Sequence, residues 1–187
     1  VPPPCARRRV PGHEGVVCCS PQPAVCTGTL PDFERLGEII PEFSRTRMFG
    51  YKAMAASIAA IAVLGFIVFV HHMFVTGLPL IVQTFFAFTT FIIGVPTGVK
   101  IFSWLATMWG GSIKYDTPML FACGFLLMFL IGGIDGVYLG SLSVDRLVHG
   151  TYWVVAHIHY VLFGGSVMGV FATFYYWLPT GTGPFFT

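Results

Sequence analysis

The sequence predicts an all-α fold: a polytopic transmembrane bundle of four spanning helices behind an irregular N-terminal leader. Three observations carry this expectation. Only 10% of the 187 residues are charged and 55% are hydrophobic, whereas a soluble domain carries about 25% charged residues. The mean hydropathy is +0.78. Four continuous apolar runs each reach the ~20 residues that a helix needs to cross a bilayer. None shows the alternating segments of about 10 residues that mark the strands of a membrane β-barrel, which is the other spanning solution for a backbone in lipid. The net charge of +2 is too small to point to nucleic acid.

The elements follow in chain order. Residues 1–30, "VPPPCARRRVPGHEGVVCCSPQPAVCTGTL", are rich in Pro, Cys and Arg and have no helical or strand period. They predict an irregular leader without a packed core, and they lack the basic, apolar and cleavage regions of a signal peptide. His13, Cys18, Cys19 and Cys26 miss the paired C-x₂₋₄-C arms of a zinc site. Residues 32–47 read as an amphipathic loop or short helix leading to the membrane. The spans are expected at Ala53–Val75, Pro79–Trp104, Pro118–Gly140 and Tyr152–Leu178. Their short connections force them to alternate in direction. Arg45, Arg47 and Lys52 precede the first span and Lys114 lies between the second and third, against Arg146 alone on the opposite side. The first span therefore begins on the cytoplasmic (or matrix) side.

The six histidines are the chemistry-bearing signal. Ionisable side chains inside a membrane are rare and usually functional. A single one can be a hydrogen-bonded packing residue, but two close pairs weaken that reading. His157 and His159 are two apart, so on a helix they project about 200° apart. They cannot easily share one ion, and as ligands they would serve two centres on either side of one helix. Axial imidazole is a haem ligand, so two large planar cofactors flanking the helix suit this spacing. His71 and His72 are adjacent and can share one small ion if the helix is locally distorted. Imidazole suits copper, zinc and iron.

Two further polar positions interrupt the spans. Pro96 removes a helical hydrogen bond, and after it Thr97 and Lys100 share a face. They read equally as a proton relay or as a Lys snorkelling to the interface. Asp135, in "GGIDG", needs a partner, a proton or water, and its glycines allow close helix approach.

With these residues in view, the motifs "FGYKAMA", "VHHMFVTG", "PTGVKIFSWLATMWGG", "VHGTYWVVAHIHYVL" and "FYYWLP" resemble subunit I of the cytochrome c oxidases of the haem–copper superfamily. The resemblance runs over residues 31–187 and corresponds to the seventh to tenth of that family's twelve spans. It implies a fragment or incomplete gene product of an enzyme that reduces O2 to water with electrons from cytochrome c and translocates protons. It implies two haems (high-spin and low-spin, of the A type) and copper B as cofactors, with magnesium as a further one. His71 and His72 match copper B ligands. His157 matches the axial ligand of the high-spin haem, which makes His71, His72 and His157 the catalytic set, and His159 matches an axial ligand of the low-spin haem. Thr97 and Lys100 match the proton path named for its lysine. Asp145 and His149 match the haem-propionate region, where His149 also corresponds to a magnesium ligand.

The partners implied are subunits II and III, cytochrome c, O2, protons and the lipid bilayer, with no nucleic acid. The location implied is multi-pass integral membrane, in the bacterial plasma membrane rather than the mitochondrial inner membrane. The departures are specific. Gly150 stands where the family carries an Asp after the magnesium histidine, which favours a propionate hydrogen bond for His149. Asp135 stands where Thr or Ser is usual. The family's upstream His-Pro-Glu-Val-Tyr motif has as counterpart only His13-Glu14-Gly15-Val16-Val17, so a truncated or frame-shifted start is expected. The rival readings are a quinol oxidase of the same superfamily, a split-gene or nonfunctional fragment, and a small transporter using Lys100 and Asp135. The last leaves the paired histidines unexplained.

Overall fold

The computed structural model describes residues 21–182 of the chain. The expectations for His13, Cys18, Cys19 and the rest of residues 1–20 lie outside the described residues. Among those described, the regular elements are helices: α1 (Pro21–Ser44), α2 (Tyr51–Ile67) running on as a 3₁₀ segment (Val68–Met73), α3 (Leu80–Met108) and α4 (Thr117–Gly140). The short α5 (Leu142–Val148) follows, then α6 (Tyr152–Val161), a π-helical turn (Leu162–Val167) and α7 (Met168–Thr182). The all-α expectation holds.

Four stretches are long and apolar enough to cross a membrane: Tyr51–Met73, Leu80–Met108, Thr117–Gly140 and Tyr152–Pro179. The chain is an integral membrane protein. The second span continues past the expected end at Trp104, because Leu105 to Met108 keep a helix going until Trp109-Gly110-Gly111, where Gly110 has φ +74°. Pro96 sits inside α3 without ending it.

The difference from expectation lies in α1. Its helix begins at Pro21, inside the stretch read as irregular, and runs to Ser44. Prolines at the start of a helix cost little because the first-turn N–H groups have no helical acceptor. The second half is amphipathic: Phe33, Leu36, Ile39 and Ile40 are buried, while Glu34, Arg35, Glu38 and Glu42 are exposed. This is the three-to-four residue spacing of one helical face.

That face supplies the main core. It packs with Met54 of α2, Ile101 and Trp104 of α3, Met119, Ala122, Phe125, Leu126 and Phe129 of α4, and Ala172 of α7. The core therefore sits at the end of the bundle where the first and third spans begin. The loop after α1 is clamped there. Thr46 Oγ1 donates to the Thr107 carbonyl at 2.6 Å, and the Lys114 amide donates to the Phe43 carbonyl at 2.9 Å. Gly111 permits this approach, since a Cβ there would lie 2.7 Å from the Ser44 carbonyl.

Candidate functional site

The histidines gather at the opposite end, where α2 and α4 finish and α3 and α6 begin. His71 and His72 lie on the 3₁₀ segment Val68–Met73, not on regular α-helix. The tighter winding is the local distortion that two adjacent imidazoles need to converge, and their Nε2 atoms are 3.1 Å apart. Two nitrogens at that separation can both reach one ion at the ~2.0–2.1 Å of imidazole–metal bonds. Among the described residues, no three His, Cys, Asp or Glu side chains are grouped to hold a metal, so His71 and His72 are a candidate pair without a third donor beside them.

Hydrogen bonding fixes the tautomer of His71. Thr90 Oγ1 donates to the Phe86 carbonyl at 2.7 Å and lies 3.1 Å from His71 Nδ1. Its single proton is thereby used, so it accepts from Nδ1–H. The Nε2 of His71 is left with its lone pair, the form that binds metal.

The same logic recurs on α6. His157 Nδ1 donates to the Gly132 carbonyl of α4 at 3.0 Å, and His159 Nδ1 donates to the Val155 carbonyl one turn back at 2.8 Å. Each therefore presents an unprotonated Nε2. His157 is half-buried against α4 and His159 is exposed, as side chains about 200° apart must be.

Small residues on α4 make room for this ring. A Cβ on Gly136 would lie 2.8 Å from His157 Cε1, and one on Gly132 would lie 2.9 Å from Val161 Cγ2. Gly132, Gly136 and Gly140 repeat every fourth residue along one face, the spacing that lets membrane helices approach closely. Asp135 Oδ2 is 3.7 Å from His157 Nδ1. Just beyond His159, the π-helical turn places Gly164 and Gly165 against Met128 and Phe129. Single π-turns are frequent at functional sites.

Asp145 is buried on α5 and pairs with His149 Nδ1 at 3.1 Å. Burial pushes its carboxyl above the ordinary range, and the charge and hydrogen bond of His149 pull it back in part. Arg146 donates to Gln83 Oε1 at 2.9 Å and ties this loop to α3.

Thr97 and Lys100 lie away from the histidines. Thr97 donates to the Ile93 carbonyl at 2.9 Å. Lys100 is 1% exposed and does not snorkel. Its Nζ lies 3.8 Å over the ring of Phe33 and has no hydrogen-bond partner among the described residues.

Thr90 was not singled out by the sequence; Gly132 and Gly136, in "GGIDG", were read only as allowing close helix approach, without His157 as the group approached. A Thr89-Thr90 pair in an apolar span and a four-residue glycine repeat are visible signals, but which helix they face is not.

A family model described as "Cytochrome C and Quinol oxidase polypeptide I" matches residues 22–186. Three similar proteins are each named cytochrome c oxidase subunit 1. That of Thermostichus vulcanus is 53% identical over 161 residues, covering 86% of this chain and 29% of the relative. That of Cereibacter sphaeroides is 51% identical over 156 residues, covering 83% and 28%. That of Bacillus subtilis is 49% identical over 157 residues, covering 84% and 25%. The chain thus spans little more than a quarter of the length of these relatives. On the strength of the match across most of its residues, the chain belongs to the cytochrome c and quinol oxidase polypeptide I family.

Proposed function

We propose that this chain is the part of a cytochrome c oxidase catalytic subunit that holds copper B and the facing sides of two haems. The observation that carries the reading is the convergence of His71 and His72, with Nε2 atoms 3.1 Å apart on a 3₁₀ turn and Thr90 setting the tautomer. His71 and His72 would hold copper, His157 would bind the high-spin haem and His159 the low-spin haem. Haem and copper would supply the electron-transfer and O2-reducing chemistry.

The chain's own residues supply position and protons. Gly132 and Val155 hold the two α6 imidazoles with Nε2 outward. Because α6 lies between them, His157 and His159 serve different haems. Lys100 and Thr97 carry protons inward from the side where α2 begins. An amine buried without a hydrogen-bond partner suits transient proton binding, since a permanent charge there is costly. The Asp145–His149 pair suits the haem-propionate region, where His149 would also serve as a ligand to magnesium. The haems are of the A type. The partners are subunits II and III and cytochrome c, and the location is a bacterial plasma membrane, with both ends of the described bundle cytoplasmic. A quinol donor is the second reading, because the matched family includes both kinds of oxidase. A copper pair in the second subunit would exclude it.

The test is optical spectroscopy of His157→Ala and His159→Ala in the complete subunit carrying this segment, with Val155→Ala as control. The expected result is loss of the carbon-monoxide-binding haem in the first and of the low-spin signal in the second. Loss of the same haem in both would refute the two-sided reading.

A further inference from the structure

We propose that Asp135 is a positioning residue for His157, an anionic group beside its Nδ1–H that acts through its charge and makes Nε2 a stronger electron donor to the metal it binds. This rests on the reading of His157 as a haem ligand. A carboxylate in a spanning helix is costly and needs a reason, and none of the roles proposed above uses Asp135. The structure supplies one. Asp135 Oδ2 lies 3.7 Å from His157 Nδ1, and the Asp135 side chain is 20% exposed. Gly132 and Asp135 are three apart on α4, so both groups come from one turn of one helix. The carbonyl takes the hydrogen bond at 3.0 Å, and the carboxylate sits just outside hydrogen-bond range. Gly136 completes the arrangement by letting the ring approach that turn.

The physical consequence follows from charge. A ligating imidazole commonly donates its other N–H to a carboxylate or a carbonyl, and that acceptor sets both ring orientation and ligand basicity. A negative charge 3.7 Å from Nδ1 acts through a medium of low dielectric and so acts strongly. It stabilises positive charge on the imidazole and on whatever the imidazole binds. The bound metal is then held more tightly in its oxidised state, and the metal–nitrogen bond is stiffer than with the carbonyl alone.

The experiment uses the complete subunit with its haems incorporated, in wild-type, Asp135→Asn, Asp135→Thr and Asp135→Glu forms. Two quantities are read: the iron–imidazole stretching frequency of the high-spin haem by resonance Raman, and its midpoint potential by redox titration. The neutral variants are expected to lower the frequency and shift the potential positive, raising the ferrous-to-ferric ratio at fixed solution potential several-fold. Asp135→Glu is expected to move both back toward wild type, and the low-spin haem is expected to stay unchanged. Asp135→Thr keeps the test open if Asp135→Asn does not assemble. Frequency and potential equal to wild type in a neutral variant would overturn the proposal, as would equal shifts in the Asn and Glu variants. Persistence of the iron–imidazole band in His157→Ala would instead sink the underlying haem assignment, whatever Asp135 does.

Discussion

The two ends of the bundle are built on different principles. At the end where α2 and α4 begin, α1 lays four buried apolar side chains into the other helices, and Phe33, Trp104, Phe125 and Phe129 pack as one aromatic cluster. At the other end, α6 carries His157 and His159, and none of its residues is buried. Val68, Phe74 and Ala87 are buried near that end, but the histidine rings themselves are held by close-approaching glycines, the Thr90 hydroxyl and single carbonyls. The packed end holds the helices in place by volume. The histidine end aims particular nitrogens, which requires close backbone approach and fixed tautomers more than buried area. Stability and chemistry are thus separated along the membrane normal, and mutations should divide accordingly.

The largest effect is expected at the packed end. Trp104 is fully buried and touches Phe33 and Phe125 with ring centroids 5.9 and 5.8 Å away. Trp104→Ala should destabilise by about 3–5 kcal/mol, measured by unfolding in detergent micelles. A cost below about 1 kcal/mol would show that this end is not the stabilising core. The next effect tests the histidine end by crowding it. Gly136→Ala places a Cβ 2.8 Å from His157 Cε1, and overpacking of this kind costs about 1–3 kcal/mol. Gly133 has nothing within 4 Å of its would-be Cβ, so Gly133→Ala should be neutral or gain up to about 1 kcal/mol from helix propensity. The same assay on both variants separates ring displacement from a general effect of alanine in α4.

The spans and the sidedness of α6 were legible in the sequence because both depend on distance along one helix. Apolar runs gave the lengths of the four spans to within a few residues, and a two-residue spacing placed His157 and His159 on opposite faces. The need for a distorted helix at His71 and His72 was also readable, and the 3₁₀ segment meets it. What could not be read depends on how one helix is rotated against another. Thr90 with His71, Gly132 with His157, and Lys100 over Phe33 each join residues of different helices, and no periodicity within a single span gives that rotation. The onset of α1 was missed for a different reason. Pro21, Pro23, Gly28 and Pro31 break any helical period in residues 21–31, but Pro21 and Pro23 lie in the first turn, where they do not oppose the helix.

The third prediction sharpens the role of polar contacts at the histidine end. Thr90→Val keeps the volume and removes the acceptor of His71 Nδ1–H, 3.1 Å away. Loss of such an outer partner typically lowers metal affinity 10–100-fold, about 1.4–2.7 kcal/mol. Copper content of the purified complete subunit, titrated with a competing chelator, reads this directly. Thr90→Ser restores the hydroxyl and should restore the affinity. Equal copper retention in the Val and Ser variants would mean that the tautomer of His71 is set by something else.

The smallest effect expected is a coupling within the packed end. Lys100 is a buried basic side chain at that end, and what faces its Nζ at 3.8 Å is the ring of Phe33. A cation over an aromatic face is worth about 0.5–1 kcal/mol when exposed and about 2 when desolvated. Single substitutions cannot isolate that term. Phe33→Leu also loses ring contacts with Trp104, Phe125 and Phe129, and Lys100→Met also removes the cost of burying a charge. A double-mutant cycle of Phe33→Leu and Lys100→Met cancels both side effects and leaves the pairwise energy. The expected coupling is about 0.5–2 kcal/mol, favourable in the native pair, read from unfolding free energies of the four proteins in detergent micelles. Repeating the cycle at pH values that bracket deprotonation of the amine tests its electrostatic origin. A coupling that survives deprotonation unchanged would assign the contact to packing of the lysine stem, and the packed end would then hold its amine by shape alone.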